Sequence, residues 1–246
     1  MIVLLLAALL QAAPDDAAAT AALDKFKVDY KSKDKSERVT AVAELAKTPH
    51  DKIIVKLAAL LGVDEPDVRI AAAKGLTEQT ENKKKSSLAL AGGISPNLTA
   101  VFVPVAVAIL DQLGTLKEDV IAPEVEKHFA KSDPLDVQKA AVVNSGKIKS
   151  VTSIDPLIKL LKELELEAQK NNGPAGAGKI KGIGGKGVPG KAGAVKNGTA
   201  DDRDRAAELL PAVRAALTAI TGASCPDAKD WEAWWNEHRA TFHVEK

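Results

Sequence analysis

Along most of the chain, apolar positions recur every three or four residues, the spacing that gives a helix one buried face. Leu23, Phe26 and Tyr30 make the first such stripe, within an Ala-rich stretch over 17–31. From Ser36 to Leu45 a capping serine leads into Val39, Ala41, Val42 and Leu45 at helical spacing. Pro49 then breaks the chain, and 52–61 carries Ile53, Ile54, Leu57, Leu60 and Leu61 before Gly62 stops it. Two short amphipathic helices joined by a tight break predict an antiparallel helical hairpin, complete in about 27 residues.

The pattern then returns. Asp64-Glu65-Pro66-Asp67-Val68-Arg69-Ile70-Ala71-Ala72-Ala73 opens a helix with acids at its positive end and proline where a first turn tolerates it. Ser132-Asp133-Pro134-Leu135-Asp136-Val137-Gln138-Lys139-Ala140-Ala141 opens another, with Ile154 to Leu161 as its partner after a short turn. Setting Val68 over Val137 brings Pro, Val and the Ala pairs into correspondence, with Ala71-Ala72 over Ala140-Ala141. Val39 begins a looser copy, with Ala43 for Ala72, and Val213-Arg214-Ala215-Ala216 begins a further one. Between them, 100–110 is apolar apart from Pro104 and predicts the most buried helix, ending at Gly114. Lys83-Lys84-Lys85 reads as a solvated helix start, and a further helix is predicted over 117–130.

These residues resemble the first helix of HEAT repeats, an acidic turn followed by Val-Arg and Ala pairs. The resemblance implies an all-α, irregular α-solenoid of stacked antiparallel hairpins, four to five in number, related to armadillo arrays. No hairpin of this kind buries its apolar face alone, so the core exists only where neighbours stack. Gln138 departs from the family's usual Arg, which puts a continuous Asp–Arg ladder in doubt. The resemblance also implies that second helices line the concave side, with Lys52, Lys56, Lys159, Lys162, Glu163 and Glu165 facing outward.

Residues 171–199 break the periodicity. They are Gly, Lys, Pro and Ala, too poor in apolar surface to offset backbone entropy, and are expected to be a disordered insertion between helical repeats over 14–170 and terminal helices over 200–246. Six lysines and no acid lie from Lys170 to Lys196, so the formal charge of +1, less these six, leaves −5 on the rest. Lys179, Lys181, Lys186, Lys191 and Lys196 are therefore candidate contacts for a polyanion. No aromatic residue interleaves them to stack on bases, which argues against nucleic acid as the partner.

At the other end, Ile2 to Leu10 is apolar but too short to span a bilayer, and Gln11-Ala12-Ala13-Pro14 follows. This predicts a signal peptide over 1–13, and with it export to the periplasm or outside. The n-region carries no Lys or Arg.

Trp231, Trp234 and Trp235 fall on one face of a C-terminal helix and are expected to seal the end of the stack. The helix, after Thr221-Gly222, resembles the ending of exported bacterial HEAT-like proteins.

Candidate chemistry is thin. Gly182-Ile183-Gly184-Gly185-Lys186-Gly187 fits GxGxxG, but no strand precedes it and no helix follows to receive a pyrophosphate. Ser or Thr follows neither Lys179 nor Lys186, so a P-loop fails. His50, His128, His238 and His243 are scattered without metal-ligand spacing, and Cys225 is the single cysteine. Asn97-Leu98-Thr99 and Asn197-Gly198-Thr199 match glycosylation sequons, as chance would supply. The reading is a non-catalytic scaffold without cofactor or metal, holding a protein partner; the alternative is an envelope protein whose insertion binds nucleic acid or acidic polysaccharide.

Overall fold

The computed structural model describes residues 16–171 and 200–244. Among these the chain is all helical, with no strand: α1 (Asp16–Asp29), α2 (Lys35–Ala46), α3 (Asp51–Leu60), α4 (Pro66–Glu78), α5 (Lys83–Gly92), α6 (Val103–Leu116), α7 (Ala122–Glu126), α8 (Leu135–Ile148), α9 (Ile154–Asn171), α10 (Ala200–Thr221) and α11 (Ala228–His238). Helix starts follow local chemistry. Asp34, two residues before the serine read as the cap, accepts from both the N–H and the hydroxyl of Ser36. His50 Nδ1 accepts from Lys52 N–H ahead of α3, and Asp227 accepts from Asp230 N–H ahead of α11.

Successive even-numbered helices pack on one another, α2 on α4, α4 on α6, α6 on α8 and α8 on α10, while α3, α5 and α9 lie beside their even-numbered neighbours. One apolar cluster runs without interruption from Phe26 to Trp235. Helices this short are marginal alone, so shared faces carry the fold. Small residues set the helix separation. A Cβ on Gly75 of α4 would lie 2.7 Å from Ala46 Cβ of α2, and one on Gly146 of α8 would lie 2.9 Å from the Ala216 Cα of α10.

The register between Val68 and Val137 extends well beyond those residues. Burial superimposes position for position: Val68, Arg69, Ala72, Ala73, Gly75 and Leu76 on Val137, Gln138, Ala141, Val142, Asn144 and Ser145. Arg69 Nε donates to the Asp64 carbonyl at 2.8 Å, and Gln138 Nε2 donates to the Asp133 carbonyl at 2.6 Å. The prolines are one position apart, Pro66 being the first residue of α4 while Pro134 precedes α8 as its cap.

The other two copies are displaced. Val39 is only half-buried and Ala43 is exposed, because α2 turns Ala41, Val42, Leu45 and Ala46 inward instead. Val213 lies deep inside α10 rather than near its start; the contacts of Glu208 with Lys139 and of Ala216 with Gly146 place Ala206 opposite Val137.

Two boundary expectations also fail. Helix α6 does not end at Gly114, which sits inside it against the Asn144 side chain; Lys117 ends it in the left-handed conformation (φ 58°), as Lys149 ends α8 (φ 57°). The single helix expected over 117–130 is instead α7 between two 3-10 turns, with Pro123 in its first turn.

Candidate functional site

Helix α6 is apolar nearly all round. One face, with Val105, Ala106, Ile109 and Leu110, is buried in the core. A second stripe, Val103, Val107 and Asp111 at i, i+4 and i+8, faces out beside Pro104. Helix α8 answers with Asp136, Lys139, Ala140 and Val143, again one helical face. Between them lies an open groove of about 490 Å³ lined by these eight residues. Val143 is 39% exposed, while Val103 and Val107 are half-buried, their inner sides packed on the core and their outer sides lining the groove.

The rim is charged unevenly. Asp111 accepts from Asn144 Nδ2 at 3.0 Å and stands 3.8 Å from Lys147 Nζ. Lys139 pairs with Glu208 of α10. Asp136 is exposed, and Lys139 feels its charge only at a distance.

Each junction between even-numbered helices carries a polar pair: Lys35 of α2 meets Asp67 of α4, Thr77 of α4 donates to Gln112 of α6 at 2.9 Å, Asp111 of α6 meets Asn144 of α8, and Lys139 of α8 meets Glu208 of α10. At the mouth of the α6–α8 junction, Val103 and Pro104 stand opposite Asp136.

The structure disperses the charged residues expected on the second helices. Lys52 reaches back to Asp16 at 2.9 Å, and Lys56 lies over the Phe26 ring, so α1 engages both. Lys162 pairs with Glu232 of α11, and Glu165 accepts from Arg214 of α10 and from the Ala228 N–H of α11. Lys159 and Glu163 are exposed.

Trp231 is fully buried and Trp235 nearly so, while Trp234 is half-buried and stacks on His238 with ring centroids 4.5 Å apart. Ala228 contacting Glu165, and Glu232 contacting Lys162, mean that α11 runs antiparallel to α9. Lys179, Lys181, Lys186, Lys191 and Lys196, the glycines of 182–187 and the 1–13 leader lie outside the described residues.

Among the described residues no group of three or more His, Cys, Asp and Glu could hold a metal ion. No helix there is long and apolar enough to cross a membrane. His128 is buried with Nδ1 2.6 Å from Asp133 Oδ2, in a corner whose other bonds are structural. The Cys225 thiol is pushed up by burial first and then by Asp230 and Asp227, so its thiolate is disfavoured. Asn97 is fully buried, donates to the carbonyls of Leu61 and Gly93 and accepts from Arg69.

The groove itself was missed in sequence because 100–110 reads as uniformly apolar and hence buried. The signal that marks it is the second stripe on α6 ending in Asp111, too wide for one buried face. Compared with models of known families and with curated proteins, the chain matches none.

Proposed function

We propose that this chain is a non-catalytic, exported protein of the HEAT-repeat kind, an irregular α-solenoid whose work is to hold a protein partner at the α6–α8 groove. The succession α2, α4, α6, α8, α10, with second helices alongside and one unbroken core, supports the solenoid reading. The matched burial around Val68 and Val137 supports the repeat. The apolar 1–13 segment with its small residues supports export.

The observation that carries the function is the groove: an open cleft between two packed helices, walled by the half-buried Val103 and Val107 and the exposed Val143, a form suited to receiving the apolar face of a helix or extended segment. Affinity capture with the chain lacking 1–13, compared with Val107→Asn and Val143→Asn variants that keep the same circular dichroism, tests it. A bound protein lost from both variants is the expected result. Proteins captured equally by all three chains would remove the groove from the function.

A further inference from the structure

The mouth of the α6–α8 junction differs from that of the α2–α4 junction in a way that points to the occupant's chemistry; the inference rests on the groove being the docking site. Asp136 is the second residue of α8, as Asp67 is of α4. Asp67 is answered by Lys35 from the first turn of α2. The first turn of α6 offers Val103 and Pro104 instead. The cation that lines the groove among the described residues, Lys139, is turned to Glu208 of α10. One repeat contact thus keeps its carboxylate and replaces the partner cation with an apolar wall. Asp111, at the other end of the groove, already has Asn144 and Lys147.

We propose that the groove takes a segment of a partner protein whose small aliphatic side chains lie against Val103, Val107, Ala140 and Val143, and whose lysine or arginine meets Asp136. The apolar contacts supply area and exclude water around the rim. The carboxylate, beside a low-dielectric wall, then selects a cation and fixes which end of the segment lies at the α8 start. An acidic residue at that place is rejected, so Asp136 acts on specificity more than on bulk affinity.

Selection of a random linear peptide library displayed on phage against the full chain tests this. Wild type is expected to enrich sequences that combine aliphatic residues with a Lys or Arg at a fixed distance from them. Binding of those peptides falls about tenfold on Asp136→Lys, which in its own selection enriches Asp or Glu at that position. Both Val107→Asn and Val143→Asn abolish enrichment; Val143 is exposed, so its variant folds even if the other does not. Peptides that need the valines but ignore Asp136→Lys would overturn the cation while leaving the groove as docking site. Enrichment indifferent to the valines, or none on wild type, would overturn both. A rise of about tenfold or more in peptide binding on deleting 173–198 would show that the chain's own lysine-rich segment fills the groove, and would overturn a partner in trans.

Discussion

Arg38 of α2 grips the carboxylate of Asp64 with two nitrogens, Nε at 3.2 Å from Oδ2 and Nη2 at 3.1 Å from Oδ1, and Tyr30, just past the end of α1, donates its hydroxyl to the same Oδ2. Asp64 holds a φ of 109°, uncommon for any residue but glycine, and its carbonyl accepts from Arg69 Nε. Donors from the turn after α1, from α2 and from α4 therefore converge on one strained corner and fix how three helices meet.

That corner sets two pH limits. Burial pushes the Asp64 carboxyl up, but the hydrogen bonds from Tyr30, the Glu65 N–H and Arg38 outweigh it and hold it below its ordinary value of 3.8. Its stabilisation is present above that value and is lost as pH falls through the lower, folded one. The Tyr30 hydroxyl is raised above its ordinary 10.0 by burial, then by Asp64, so its stabilisation is present below pH 10 and lost as pH climbs beyond. Urea midpoints of wild type and Tyr30→Phe should differ by a constant amount near neutrality and converge above pH 10. A gap that persists unchanged at high pH would dissociate the hydroxyl from Asp64.

Gly146→Val should destabilise by about 1–3 kcal/mol, because its Cβ would meet the Ala216 Cα, backbone that cannot swing aside. Gly92→Ala, with nothing within 4 Å of the added Cβ, is the control and should be stabilising by up to about 1 kcal/mol, since Gly92 is the last residue of α5. Thermal or urea unfolding of the two variants reads the contrast.

Trp231→Ala should cost about 3–5 kcal/mol, the loss of a fully buried indole. Because α11 packs on α9, hydrogen exchange should speed first in those two helices while α2 to α4 stay protected. Uniform loss of protection would mean that the helices melt as one unit.

Arg205 is 4% exposed and links Gln138 Oε1 to Glu167 Oε2. Arg205→Met strands both partners and should cost about 3 kcal/mol or more by urea unfolding. Where Gln138 replaces the arginine of Val68-Arg69, a guanidinium thus returns from the next helix.

Expressed through a eukaryotic secretory pathway, the chain should remain without glycan at Asn97, whose amide nitrogen is already bonded to two buried carbonyls. Mass spectrometry of the tryptic peptide checks it.

Periodicity alone determined that the chain is helical, that α4 and α8 share a register and that Trp231 and Trp235 lie on one face of a terminal helix, because each follows from spacing along one short segment. Copies at Val39 and Val213 were legible as Val and Ala but misplaced, since which turn of a helix faces inward depends on its neighbour. The neighbour also decided that Gly114 continues α6 against Asn144 rather than ending it, and that α1, α10 and α11 engage Lys52, Lys162 and Glu165. The groove belongs wholly to tertiary structure: valines on α6 and α8 read as core until packing leaves one apolar face of each without a covering helix.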